Sequence, residues 1–263
     1  MQPGSRCGGR GYVISTRSHS ILCSMKSLNN PYRAVVVGAR GGLGRAFVER
    51  LRADPACAQV AALARAGDPE QGDPGLELTD EDSIRRAAAW LREQSAEWDL
   101  ILDATGVLTL EGHGPEKRLR DLDPGIMARA FAINAIGPAL LFKHLSPLLP
   151  RTRRSVFATL SARVGSIADN HLGGWVSYRA SKAALNQIMR TTALELRFSR
   201  RQAVVVSLQP GTVATPLSAP YRGHAPTVLS PEVSARRLLE VLDALEPAQS
   251  GGFFDFEGQM LPF

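Results

Sequence analysis

The chain has 263 residues, 44% hydrophobic and 21% charged, which suits one α/β domain with room for a full core. No apolar run approaches the ~18 residues of a membrane span. The net charge of +6 does not imply a nucleic-acid face: seven of the 31 basic residues and no acidic one fall in residues 1–48, leaving 24 basic against 25 acidic in the body.

In chain order, residues 1–24 are rich in Gly, Ser and Arg and have no continuous apolar core, so a secretory signal is not expected. An organelle transit segment fits, as does a disordered extension or an upstream start before Met25. The working division is an extension over 1–28 and a single domain over 29–263. "RAVVV" (33–37) reads as a buried strand and "GLGRAFVERLRA" (42–53) as a helix. Further strands are expected at 59–64, 76–78 and 99–104, with a helix at 80–94 that opens on acidic residues. A long helix is expected over about 124–149, kinked at Pro138. Strands at 155–160 and 203–208 flank a helix containing "SYRASKAAL". The run from Ser230, Pro231 and Glu232 begins another helix, and 251–256 reads as a last strand. The alternation predicts a doubly wound Rossmann-type α/β fold: a mostly parallel sheet of about seven strands with helices on both faces.

Cys7, Cys23 and Cys57 are odd in number and form no C-x-x-C, so neither a disulfide framework nor a metal site is expected, and reduced thiols point to the cytoplasm. "VVVGARGGLGRAF" places Gly38, Gly42 and Gly44 between a strand and a helix. Such a turn lets backbone approach a pyrophosphate and presents helix N–H groups to it. Where an NAD site commonly carries an acid at the end of the second strand, this chain has Arg65. Arg40 lies in the glycine loop. Both favour a 2′-phosphate, hence NADP(H) over NAD(H). Tyr178 and Lys182, four apart, share one helical face, where an ammonium would lower the pKa of a phenol.

Taken with Asn134 in "FAINAIGP", "LSARVGSI" after a strand, and "QPGTVATP" after the next, these motifs resemble the short-chain dehydrogenase/reductase family over about 33–263. "SARVGSI", "GGWVSYRASKAALN" and "SGGFFDFEGQMLPF" resemble its C-factor (C-signal) subgroup. The resemblance implies Tyr178 as general acid/base, Lys182 as its tuner and ribose ligand, and Asn134 as holder of a linking water. It implies cofactor contacts from Gly38, Arg40, Gly42, Leu43, Gly44, Arg65, Glu77, Gly106, Tyr178, Lys182, Pro210, Gly211 and Thr215. It also implies reversible reduction of a small carbonyl compound in a homodimer or homotetramer. Leu185, Ile188, Met189 and Leu194 on one helix agree with such pairing. No membrane or nucleic-acid partner is expected.

Several positions depart from the family pattern. The usual catalytic serine position holds Ala162. Ser161 stands one residue early and Ser166 lies beyond the strand end; Ser161 is the preferred assignment. Val37 replaces a threonine, Asp103-Ala104-Thr105-Gly106 replaces "NNAG", and Glu77 replaces an aspartate. A dinucleotide-binding sensor or signalling scaffold is the competing class, but it has no need for tyrosine, lysine and asparagine together. The proline-containing segment 216–230 is too short for a large lid.

Overall fold

The computed structural model describes residues 25–224 and 227–263; residues 1–24 of the expected extension lie outside them. Six parallel strands form one sheet in the order β2-β1-β3-β4-β5-β6. They are β1 (Tyr32–Val37), β2 (Cys57–Leu63), β3 (Leu100–Asp103), β4 (Ser155–Leu160), β5 (Ala203–Gln209) and β6 (Phe253–Asp255). The central strands are apolar on both faces because helices cover both. On one side Ala34, Val36, Leu102 and Val206 pack against α1 (Gly42–Arg52) and α6 (Pro231–Ala244). On the other, Val35, Ile101, Phe157 and Val205 meet α2 (Glu81–Gln94), α4 (Gly137–Leu145) and α5 (Val176–Leu196).

The helix starts follow local chemistry. Asp80 accepts from Asp82 N (3.0 Å) at the start of α2. Asp123 accepts from Ile126 N (2.8 Å) ahead of Pro124 in α3 (Pro124–Phe131). Ser230 accepts from Val233 N (3.3 Å) ahead of Pro231. Each side-chain oxygen satisfies an amide that has no partner within its helix.

Three expectations are corrected. Residues 76–78 are not a seventh strand: Leu76 N donates to Ala64 O (2.9 Å) and both leucines are buried, but no ladder forms at this sheet edge. The domain does not begin at residue 29. Met25 and Leu28 are buried in the α1/α6 core, and Ser27 N donates to Asp243 (2.7 Å). Finally, the segment Pro124–Leu148 has a mean hydropathy of 1.5 over an 18-residue window, enough by length and composition to cross a bilayer. Scattered polar residues interrupt any continuous apolar run. In the fold it serves as a core helix, with Leu141, Phe142, Leu145 and Leu148 buried against the sheet. It is not one α-helix either: a π-turn (Ala132–Ile136) joins α3 to α4 ahead of Pro138.

Met25 is 1% exposed, so Met25→Ala leaves a cavity. The expected loss is about 2–5 kcal/mol by urea unfolding. A loss under about 0.5 kcal/mol would place residues 25–28 outside the cooperative unit.

Candidate active site

The carboxyl ends of β1, β3, β4 and β5 meet at one edge of the sheet, where α/β folds bind their ligands. The glycine turn follows β1. Gly38 has φ +81°, and its α-carbon lies so near Ala104 and Thr105 that a Cβ would come within 3.1 Å of both. A Cβ on Gly44 would collide with the Gly38 carbonyl, and one on Gly42 would lie 2.5 Å from the Thr215 methyl. The turn is thus packed closely on Ala104, Thr105 and Thr215, and no side chain caps the amide end of α1, which leaves its N–H groups for an anion. Leu43 lies in that turn and packs against the core.

Across the sheet, Asn134 is carried in the π-turn, a local widening common at functional positions. Its Oδ1 accepts from Val107 N (2.8 Å), and its Nδ2 donates to Val107 O (2.9 Å) and Ser181 Oγ (3.2 Å). One buried amide therefore ties the segment after β3 to α5. Gly106 sits in this junction with φ +152°; a Cβ there would be 3.2 Å from Lys182 Nζ and 3.5 Å from Asn134 Oδ1.

Lys182 is 3% exposed, and its Nζ donates to Leu160 O at the end of β4 (2.9 Å). Burial pulls the ammonium down to about 8, opposed by the charge of Asp103. Asp103 is itself buried and accepts from Thr105 N (3.0 Å), Thr105 Oγ1 (2.5 Å) and Thr159 Oγ1 (2.8 Å). Desolvation raises its carboxyl, and these bonds and Lys182 offset part of the rise. Tyr178 lies one turn earlier on α5. The expected lowering of its pKa by Lys182 is not found: burial pushes the phenol up to about 12, and the Lys182 amine is committed to Leu160 O.

Ser161 directly follows β4, its N–H donating to Leu208 O (2.7 Å). Its hydroxyl is enclosed and has no hydrogen-bond partner. Ser166 is also buried, but its hydroxyl accepts from Asp169 N (3.1 Å). Ala162, between β4 and a 3-10 turn, is half-buried. Pro210 follows β5, with its carbonyl accepting from Ser234 Oγ (2.8 Å), and Gly211 has φ +79° against Phe256 and Leu229.

At the far end, Arg40 and Arg65 are both exposed, and Arg40 Nη2 donates to Gly67 O (3.3 Å). Asp73, in the same loop, has its carboxyl raised by burial, with Arg40 pulling the other way. The Glu77 carboxylate turns back to Thr79, accepting from its N (3.2 Å) and Oγ1 (3.0 Å). Among the described residues no group of His, Cys, Asp and Glu is arranged to hold a metal.

Composition and spacing gave no signal for Glu116. Its buried carboxylate bonds Ser177 N (3.2 Å) and Ser177 Oγ, and its carbonyl accepts from Trp175 N (2.5 Å), capping α5 from a distant loop. Nothing local in 110–120 announces a contact with residues near 176, so only the fold reveals it.

Burial of Lys182 has a consequence for stability. Its folded-state pKa of about 8 lies below the ordinary lysine value of 10.5, so the unfolded chain binds more protons between those values. The penalty is fully present below pH 8 and is relieved as pH rises toward 10.5. This group should raise stability by about 2 kcal/mol between pH 7.5 and 9.5. Urea unfolding of Lys182→Met is expected to lack that rise; equal pH dependence in both proteins would contradict it.

Comparison with known proteins agrees with this arrangement. The short chain dehydrogenase family model matches residues 32–225. A 1-hydroxy-2-glutathionyl-2-methyl-3-butene dehydrogenase of Rhodococcus sp. (strain AD45) is 33% identical over 233 residues, covering 86% of this chain and 97% of that one. C-signal of Myxococcus xanthus is 39% identical over 145 residues, covering 55% and 83%. The structure of NADPH-bound carbonyl reductase from chicken fatty liver superposes with a TM-score of 0.76 at 26% identity, covering 89% of this chain and all of that one. A glycine cradle after β1, an amide clamp in the π-turn and a Tyr-x-x-x-Lys face thus occur together on a chain with these relatives, and the chain belongs to the short-chain dehydrogenase/reductase family of NAD(P)-dependent oxidoreductases, with C-signal among its relatives.

Proposed function

We propose that this protein interconverts a compact carbonyl compound and its alcohol, using NADP(H) in preference to NAD(H). The observation that carries this reading is the junction at Gly106, where Lys182 Nζ and Asn134 Oδ1 both approach the segment that follows β3. The residues fit a dinucleotide: the turn at Gly38, Gly42 and Gly44 packs too closely on its neighbours to admit a Cβ, and no side chain caps the amide end of α1. When bound, the reduced cofactor supplies a hydride to the carbonyl carbon, and is itself oxidised.

The protein's part is the proton and its surroundings. A phenol held up to about 12 is fully protonated at neutral pH, the form that a carbonyl oxygen gaining charge requires. Tyr178 gives that proton as the oxygen becomes a hydroxyl. Lys182, with a pKa near 8, restores it or takes one up in the reverse direction. Asn134 holds the Gly106–Val107 backbone against α5 and so fixes the distance between tyrosine, lysine and cofactor. Ser161 keeps the carbonyl-orienting role as the serine next to the end of β4; its hydroxyl is enclosed and has no partner, whereas that of Ser166 is engaged by Asp169 N. The relatives' names accord with either direction, one being a dehydrogenase and one a carbonyl reductase. A signalling scaffold alone would not need a buried lysine and an amide clamp.

The remaining expectations carry over as proposals. The protein is cytoplasmic and acts on a small molecule, not on nucleic acid or membrane. It assembles as a homodimer or homotetramer. Leu185 and Met189 are spent on the monomer core, so that assembly would rest on the exposed Ile136, Leu194 and Phe198.

Tyr178→Phe should bind cofactor normally and lose about 100-fold or more in kcat. The measurement is NADPH oxidation with a panel of ketones and aldehydes; near-normal turnover would refute the mechanism.

Arg65→Ala tests cofactor choice. Loss of a charge-assisted contact to the 2′-phosphate costs about 1.5–3 kcal/mol, so NADPH affinity should fall roughly ten- to a hundredfold while that for NADH stays unchanged. Equal weakening of both, by calorimetry, would show that Arg65 does not read the phosphate.

A further inference from the structure

Three aromatic rings meet at the entrance to the site. Trp175, which caps α5, stands edge-to-face with Tyr178 at 6.2 Å between ring centroids and with Tyr221 at 5.1 Å. All three are half-buried. Tyr221 comes from the 3-10 turn Ala219–His224, and its hydroxyl lies 3.2 Å from Thr109 Oγ1 in the segment after β3. The rings therefore bridge two loops that flank the catalytic helix.

The placement of Trp175 is costly to the backbone. It has φ +52° and ψ +42°, a left-handed conformation rarely adopted by a bulky residue. Its N–H is held by Glu116 O, and the Glu116 carboxylate caps the next turn at Ser177. Gly114 leaves the space that Tyr221 occupies, since a Cβ there would lie 2.7 Å from the hydroxyl. An outlier of this kind, supported from several sides and one turn from the reacting phenol, points to a role for the side chain it displays.

Three charged groups near the rings are already committed. Arg222 donates to Ser218 Oγ (3.1 Å) and to Thr215 O. Arg179 donates to Gly174 O (3.0 Å) and Val164 O (3.3 Å). Glu116 is taken by Ser177. What remains open beside Tyr178 is aromatic surface, whose preferred partner is another flat π-system.

We propose that Trp175 and Tyr221 form an aromatic wall that selects aryl or otherwise conjugated carbonyl compounds over saturated ones of the same size. This rests on the carbonyl-reducing reading of the site. The wall gives that reading a substrate class: a planar ketone or aldehyde lying against the indole, its oxygen directed at the Tyr178 hydroxyl.

The test uses a size-matched pair, acetophenone and 1-cyclohexylethanone. Binding of each is measured by calorimetry to the full chain with saturating NADP+, and turnover by NADPH oxidation. The wild type should bind acetophenone about tenfold more tightly than its saturated counterpart. Trp175→Gly removes the indole at a backbone angle glycine accepts freely, and Tyr221→Ala removes the second ring. Each should bring that binding ratio, and the ratio of kcat/KM values relative to wild type, down by about fivefold or more. Trp175→Phe should preserve most of the preference. Thermal unfolding of each variant verifies folding, and a ratio is read only within a folded protein, so global loss of activity cannot mimic the result. No aryl preference in the wild type, or a preference unchanged in both ring-deleted variants, would overturn the wall. Absence of NADPH oxidation with either ketone, alongside an intact binding ratio, would instead count against the carbonyl-reducing reading and leave the wall standing.

Discussion

A lysine enclosed almost completely by protein is the constraint on which the rest of the site depends. Removing an ammonium from water costs several kcal/mol even after relaxation. Here the cost is met by one carbonyl at the end of β4 and by a carboxylate behind the sheet edge, and it lowers the affinity of Lys182 for its proton. The surrounding backbone has to make room. Gly106 leaves space beside Nζ, and Gly165 lies so close that a Cβ would come within 2.8 Å of Lys182 Cβ. The 3-10 turn after β4, the segment after β3 and α5 are thus shaped around one side chain. Asn134 then fixes two of those three to each other.

The same enclosure sets the electrostatics of the phenol. The sequence reading took Lys182 and Tyr178 as a simple pair, the cation lowering the acid. The structure describes two desolvated groups whose pKa values move apart, the lysine falling toward 8 and the tyrosine rising toward 12. A lysine titrating near neutrality is a better proton exchanger than one held at its ordinary value. Asp103, standing where the family pattern has an amide, adds a charge to the balance and keeps the lysine from falling further.

Much of this architecture was legible in the sequence because it is written locally. Strands buried on both faces are continuous apolar runs, as in β1 and β5. The helix starts at Asp80, Asp123 and Ser230 are local too, each cap acting within three residues. The glycine turn could be read because its conformational demand is met only by glycine. What escaped was non-local. Residues 76–78 look like a strand, but strand formation depends on a neighbour's ladder, which is missing there. The burial of Met25 and Leu28 depends on α1 and α6, far away in sequence. Glu116 acts on α5 across about sixty residues, a partnership that no spacing rule encodes. The serine position stayed open because two hydroxyls lie near one strand end; what separates them is which already has a partner.

The π-turn carries a consequence for how this helix can change over time. One extra residue in the turn offsets the angular register of everything after it, so α3 and α4 present their apolar stripes at different azimuths. Loss of a single residue within Ala132–Ile136 would restore an ordinary helix. It would also rotate either the Asn134 amide away from Val107 or Leu141, Phe142 and Leu145 out of the sheet's core. Individual side chains along this segment are therefore free to drift more readily than its length, and a spacing error of one would disable both ends at once.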